Sequence, residues 1–382
     1  MPKLVRITTM PLSLLVLLRG QMKFMKEKGF EVTMISSEGP EVSQLVDQEG
    51  CSHIAIKLTR KITPIADLIS LFKLTRILKK IKPDIVHTHT PKAGLIGMWA
   101  AKFARVPVRM HTIAGLPWVE SKGVMRIILK WVEKLTAVAA CKIYPNSLIQ
   151  KDFLTKENIA RKKMKVLGKG SSNGIDTNYF FSTNEVKYQS NFLRNQVQLK
   201  DGDWVWIFVG RIVKDKGIEE LLDAFIEFNS SFPTDQLWIV GEEEMDLDPI
   251  SKKHQYHLHH HPAVHHWGYQ QDIRPYLASA KVLVFPSYRE GFPNVPLQAG
   301  AMGCALLLSN INGCNEIVED GSNGLLVPVK DKVMLLKKML YLRQHPEKVK
   351  DFSEAIQIKI QQNFDRQNIW NLLLKEYQEF LN

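Results

Sequence analysis

The chain has 382 residues, 45% hydrophobic and 24% charged, which is enough for two ordinary domains with full cores. Four cysteines, at positions 51, 141, 304 and 314, form no CxxC pair, which excludes a zinc knuckle or disulfide framework and fits a reducing compartment. The net charge of +12 is uneven: residues 1–180 carry 30 Lys and Arg against 13 Asp and Glu (+17), and the remainder 21 against 26 (−5).

In chain order, residues 4–10 read as a strand and 12–28 as an amphipathic helix. The apolar run 10–18 lacks a basic start and a cleavage site, and it falls short of the roughly 20 residues that span a bilayer. No other stretch is long and uncharged enough, so a cytoplasmic protein is expected. Residues 30–37, 52–58, 84–90, 108–113 and 142–145 are further strands, with helical patterns such as 65–81 and 124–140 between them. This alternation predicts a mostly parallel sheet with helices on both faces.

The pattern lapses at LGKGSSNGIDTNYF, residues 167–180, where Gly, Ser and Asn cluster as in a linker. A second series follows, with strands at 204–209, 236–240, 264–267, 282–286, 305–309 and 325–329. Helices at 218–228, 273–278 and 295–302 alternate with them, and the tail from 331 is helical throughout. The fold class is α/β, with two Rossmann-like domains in tandem, residues 1–175 and 176–364. Open parallel sheets bind ligands beyond the carboxyl ends of their strands, so motifs there carry the functional reading.

The first strand of the second domain runs into FVGRIVKDKG, residues 208–217. Gly210, Arg211 and Lys216 lie in its strand–helix loop. Two cations there suit a diphosphate, although solvated surface cations would look the same. The strand 282–286 runs into SYREGFPNVPLQAG, residues 287–300. A helix start near Asn294, with Pro296 tolerated in its first turn, would offer free N–H groups to a phosphate. Glu290 precedes this helix and can reach past the phosphate to whatever is attached to it. Gln298 stands one turn into the helix.

Together GRIVKDKG and EGFPNVPLQAGAMG resemble the donor domain of family-four retaining glycosyltransferases of the GT-B fold, bacterial capsule, O-antigen and exopolysaccharide members in particular. In the first domain PDIVHTHTPKAG and RVPVRMHTIAGLPW are similar to the acceptor-binding domain of such members. The resemblance covers nearly the whole chain. It implies two domains facing a cleft, with the closing segment, about residues 365–382, returning to the first.

The same likeness implies roles. Arg211 and Lys216 would hold the diphosphate of a nucleotide sugar, and Glu290 would bind hydroxyls of the donor sugar. Gly210, Gly291, Phe292, Pro293, Asn294 and Val295 would complete the donor site. His111 would stand beside the donor sugar, so that Glu290, His111, Arg211 and Lys216 form the catalytic set. Gln298 departs from the family, which usually has glutamate there. An amide can still accept from one ribose hydroxyl and donate to another, but it cannot do proton chemistry. The glycine pair common in the first strand–helix loop is also missing. Thr8, Thr9 or Ser13 hydroxyls are the available substitutes.

The resemblance implies a retaining, metal-independent hexosyltransferase with no cofactor. The donor would be a UDP-sugar, an N-acetylated sugar such as GalNAc, and the acceptor a polyprenyl-diphosphate-linked saccharide. Alternatives are a GDP-mannose-type mannosyltransferase, a sugar-nucleotide epimerase and a non-catalytic nucleotide-binding subunit. The basic first half, with Arg126, Lys130 and Lys134 around Trp131 and a second run at Lys73, Arg76, Lys79, Lys80 and Lys82, suits an anionic membrane surface rather than nucleic acid. An ordinary solvated helix face would also account for it.

Three further patterns are weaker. Asp201–Asp203 and Asp246–Asp248 match an aspartate–x–aspartate metal motif by only three residues each. His87 and His89 alternate on one strand face without an evident third ligand. The stretch 254–266 holds seven histidines at no fixed ligand spacing, so no metal site is assigned to it.

Overall fold

A computed structural model describes residues 1–59, 62–244 and 248–381. They form two compact units, Met1–Gly174 with Arg366–Asn382, and Ile175–Asp365. The first unit is built on six parallel strands: β1 (Lys3–Ile7), β2 (Glu31–Ser36), β3 (Ser52–Ala55), β4 (Ile85–His89), β5 (Val108–Ile113) and β6 (Lys142–Pro145). Their order is β3-β2-β1-β4-β5-β6, so the direction of winding reverses between β1 and β4. Helices cover both faces, which is why these strands read as nearly continuous apolar runs.

The helices that matter here are α1 (Gln21–Glu27), α2 (Pro64–Ile81), α3 (Pro91–Phe103) and α4 (Gly123–Ala139). Both α2 and α4 pack on α3. Small residues let α3 approach the sheet closely: a Cβ at Gly97 would stand 2.6 Å from the Thr88 methyl. The single helix expected over 12–28 is broken. Ser13–Leu17 forms a π-helical turn, Gly20 takes φ +81°, and α1 starts after it. The break admits the closing helix, Arg366–Leu381, since a Cβ at Gly20 would lie 2.8 Å from the Trp370 ring. Trp370, Leu373 and Tyr377 of that helix share a core with Leu4, Phe24, Phe30 and Tyr144. The closing segment thus belongs to the first unit.

The second unit repeats the order, β12-β11-β10-β7-β8-β9, again all parallel. Its strands are β7 (Val205–Val209), β8 (Gln236–Val240), β9 (Val264–His266), β10 (Val282–Phe285), β11 (Ala305–Ser309) and β12 (Leu325–Val327). Helices α5 (Asn184–Gln196), α6 (Ile218–Asn229), α7 (Lys252–His260), α8 (Asn294–Ala301) and α9 (Pro346–Asn363) accompany them. The sequence did not suggest α5, whose buried side is thin: Val186, Ser190 and Leu193. Thr183 starts it by accepting the Val186 N–H at 3.1 Å. Among the described residues no helix is long and apolar enough to cross a membrane.

Candidate active site

In the second unit the strand order reverses between β7 and β10, the place where such sheets open a crevice. The loops leaving these two strands are bound together. Gly217 has φ +70°, and a Cβ there would meet the Pro286 carbonyl oxygen at 2.2 Å, so only glycine lets the loops touch. The Tyr288 N–H donates to the Asp215 carbonyl at 2.8 Å, and Arg289 pairs with the Asp215 carboxylate at 2.8 Å. Gly210 continues β7, and its carbonyl lies against Gly241 so closely that a Cβ on Gly241 would stand 1.9 Å from it.

This junction brings Lys216 and Glu290 together, Nζ to Oε1 at 2.5 Å, each side chain 15% exposed. Seventy-four residues apart in sequence, they meet because the short turn Lys214–Lys216 projects across β10. Lys216 also lies 5.9 Å over the Phe285 ring. Arg211 sits in the same loop but is held by a residue that sequence reasoning missed. Its Nη1 donates to Glu244 Oε2 at 2.7 Å, in a pair open to solvent. Both cations suited to a diphosphate are therefore held by carboxylates.

Beyond Glu290, the Gly291 carbonyl accepts from the Asn312 amide at 2.8 Å, which pins the loop. Phe292 turns inward, its ring 5.4 Å from that of Phe364, so its backbone rather than its side chain is available to a ligand. Pro293 precedes α8, and no side chain caps that helix. The N–H groups of its first turn, at Asn294 and Val295, leave a partial positive charge at this end. Gln298 is half-buried one turn in, and its side-chain amide makes no hydrogen bond among the described residues.

In the first unit His111 is buried on β5, its Nδ1 2.8 Å from the Thr88 hydroxyl. Burial pushes its pKa down to about 4, so the ring is neutral at physiological pH. Glycine at 94 leaves room for it: a Cβ there would lie 2.5 Å from His111 Cε1.

His87 and His89 do share a face, with rings stacked 4.6 Å apart. What joins them is a fully buried Arg6. Its Nη2 lies 2.7 Å from His89 Nε2 and its Nη1 3.4 Å from His87 Nδ1, and it also contacts Gln21 and Tyr377. Burial, then the Arg6 charge, hold both imidazoles well below their ordinary pKa. A guanidinium occupies the place a cation would take, so this pair is not a metal site. A cavity of about 10 Å³, room for about one water, adjoins them between Gln21, Asn146 and Ser171.

The first strand–helix loop uses its hydroxyls internally. Thr8 Oγ1 donates to the Met10 carbonyl at 2.8 Å, and Thr9 Oγ1 pairs with Thr90 Oγ1 at 2.8 Å across the β1/β4 reversal. Of the three hydroxyls expected to replace the glycine pair, Ser13 alone is not tied by a bond of this kind among the described residues. Asp201–Asp203 forms the turn before β7, where Asp203 accepts the Lys200 N–H at 2.8 Å. Of the second aspartate pattern, Asp246 lies outside the described residues.

Residues 189–359 match the family described as Glycosyl transferases group 1, and residues 12–147 that described as Glycosyl transferase 4-like. The chain is 33% identical over 369 residues to the capsular polysaccharide biosynthesis glycosyltransferase CapM of Staphylococcus aureus, covering 96% of this chain and 94% of that one. It is 28% identical over 316 residues to the Escherichia coli UDP-Gal:alpha-D-GlcNAc-diphosphoundecaprenol alpha-1,3-galactosyltransferase, covering 81% and 79%. Among solved structures, Anabaena HepE in complex with UDP superposes with a TM-score of 0.83 over 99% of this chain and 100% of that one, at 18% identity. That likeness bears on the fold alone, which is GT-B.

Proposed function

Since the chain belongs to the group 1, family-4-like glycosyltransferases, we propose that it transfers a sugar with retention from a UDP-sugar, an N-acetylhexosamine such as GalNAc, to a lipid-diphosphate-linked saccharide in bacterial surface polysaccharide assembly. The observation that carries this reading is the Lys216–Glu290 pair at the β7/β10 reversal, beside the uncapped start of α8. A diphosphate arriving there offers Lys216 and Arg211 a doubly charged partner. Glu290, released from the lysine, then accepts hydroxyls of the sugar. The Gln298 amide, without a hydrogen-bond partner among the described residues, takes the ribose hydroxyls.

In the reaction the acceptor hydroxyl forms a bond to the anomeric carbon on the face from which the diphosphate departs. The carbon–oxygen bond to the diphosphate breaks, and the acceptor proton passes to the departing diphosphate oxygen. Negative charge grows on that group, and Arg211, Lys216 and the α8 N-terminus are placed to stabilise it. These fixed positive groups supply what a catalytic metal supplies elsewhere, so the chemistry needs none. His111, neutral in its buried site, contributes a hydrogen bond rather than a proton.

The acceptor's lipid calls for a membrane surface, and α4 fits one. Val124, Ile127, Ile128, Trp131, Leu135 and Val138 are all exposed, while Glu133 and Thr136 face inward. The helix is inverted relative to an ordinary surface helix. Arg126, Lys130 and Lys134 flank the apolar face, Lys134 lying 5.5 Å over the Trp131 ring. On α2, Ile65, Leu68, Ile69 and Phe72 are exposed in the same way. We place these two helices against the anionic cytoplasmic face of the membrane.

A screen of UDP- and GDP-sugars tests the reading, measuring nucleoside diphosphate release with and without a lipid-diphosphate saccharide and no added divalent metal. Acceptor-stimulated release from one UDP-sugar, lowered about a hundredfold in Glu290→Ala, is expected. Tight UDP binding without turnover of any donor would instead indicate a non-catalytic nucleotide-binding subunit.

A further inference from the structure

The seven histidines of residues 254–266 have no regular spacing, but the fold sorts them. His254 lies between Glu219 and Asp223, where Lys253 already neutralises Asp223 at 2.8 Å. The His260 ring stacks on Tyr256 at 4.5 Å, and His265 bonds Gln236 at 2.7 Å. His259 and His266 are different. They converge with Glu243, a residue outside the histidine stretch, so that one ligand atom from each lies within 4.8 Å of the others.

We propose that Glu243, His259 and His266 bind one divalent cation of the zinc class. The three come from separate elements of the second unit: the loop after β8, the last turn of α7, and the end of β9. Glu243 Oε1 lies 2.9 Å from His259 Nε2 and 3.8 Å from His266 Nδ1. Tetrahedral ligands about 2.0–2.1 Å from zinc stand roughly 3.4 Å from one another, midway between these two separations. Two imidazole nitrogens and a carboxylate oxygen are a donor set that zinc accepts.

The orientation of His266 separates a metal site from a chance cluster. Its Nε2 lies 2.9 Å from the Gly241 carbonyl, which can only accept, so Nε2 carries the proton. In the neutral ring Nδ1 then turns a lone pair toward a carboxylate oxygen 3.8 Å away, a distance too long for a hydrogen bond. Two lone pairs facing each other want a cation between them. A backbone carbonyl that fixes the ring and tautomer of a ligating histidine is the usual outer support of a metal site. An open pocket of about 220 Å³ adjoins both histidines, lined also by Leu258, Val264 and Trp267. It leaves a fourth position for water, and His259, 43% exposed, leaves a way in for the ion.

A metal here joins the loop 241–244 to α7 and β9. That loop is otherwise tied to the Arg211 loop through the Ile212 N–H, which donates to the Glu242 carbonyl at 2.8 Å. Its last residue, Glu244, holds Arg211. The ion is a staple for the wall of the crevice and takes no part in bond making. This inference rests on no assumption about the reaction catalysed.

The test uses the full chain without a histidine tag, stripped with chelator, and titrated with zinc by calorimetry and by thermal melting. One equivalent of zinc should bind and raise the melting temperature. His259→Ala, His266→Ala and Glu243→Gln should each weaken zinc at least about tenfold, the lower end of what losing even an outer partner costs. They should also abolish the zinc-dependent melting shift, while metal-free melting of Glu243→Gln, the change that best keeps the side chain's shape, stays as in the parent. His257→Ala and His260→Ala should bind as the parent does. Cobalt should give the strong visible absorption of a tetrahedral site in the parent and in these two controls only. Substoichiometric zinc, or zinc binding equal in all five variants, would mean adventitious capture by exposed histidines and would overturn the proposal.

Discussion

Lys216 Nζ rests 2.5 Å from Glu290 Oε1 across two loops that glycine at 217 allows to touch. An ion pair so placed opposes a ligand that needs the lysine. Replacing Glu290 should therefore act in two directions. Glu290→Ala should lower turnover about a hundredfold, the effect of losing a charge-assisted bond to the sugar. The same variant should bind UDP a few-fold more tightly, because Lys216 no longer has a partner to leave. Calorimetry with UDP beside steady-state rates checks both. Weaker UDP binding would mean that Glu290 positions the lysine for the phosphate rather than competing for it.

Arg211 gives a parallel case with a smaller stake, because its pair with Glu244 is open to solvent. Arg211→Ala should weaken UDP roughly tenfold or more through a lost charged hydrogen bond. Glu244→Gln should tighten UDP by at most about fivefold, since exposed ion pairs are worth up to about 1 kcal/mol. The gain should fade as salt is raised. A loss of affinity in Glu244→Gln would make that residue part of the nucleotide site.

The strands were legible because parallel strands covered on both faces leave unbroken apolar runs, as in VWIFV of β7 and ALLLS of β11. The helix over 12–28 was misread because apolar spacing continues through Gly20, and nothing local announces that Trp370, 350 residues on, needs the space. Arg211, Lys216 and Glu290 stood out because each follows a strand end closely, and Gln298 because the family it resembles usually has glutamate there. Glu244 and the Glu243–His259–His266 cluster did not. The cluster depends on β8 and β9 lying side by side, and the Arg211–Glu244 pair on β7 beside β8, which spacing along the chain does not encode. Arg6 was equally hidden: its partners Gln21, His87, His89 and Tyr377 come from three different elements.

Membrane attachment through α4 predicts a surface variant with a clean phenotype. Ile127 and Trp131 are each 58% exposed, so Ile127→Glu/Trp131→Glu should leave the melting temperature close to the parent. Its partition onto vesicles containing phosphatidylglycerol should fall about tenfold or more, given ~1.5–3 kcal/mol for burying one large apolar side chain. Co-sedimentation in low and high salt measures it. Unchanged partition would move the lipid contact to α2 or remove it altogether.

Turning the apolar side of α4 outward forces Glu133 inward, and burial pushes its carboxyl up to about 7. The sign of the consequence follows from proton counts. Between the ordinary value of 4.5 and about 7 the folded chain binds a proton that the unfolded chain has released, so stability falls as pH rises through this window and levels off above it. Glu133→Gln removes the titration but keeps the shape. It should stabilise the protein at pH 8 by something on the order of 3 kcal/mol, and by little below pH 4.5. Thermal melts of parent and variant at pH 4 and pH 8 compare the two limits. An equal gain at both would mean that the carboxyl is already ionised when buried, and that a counter-charge reaches it in solution.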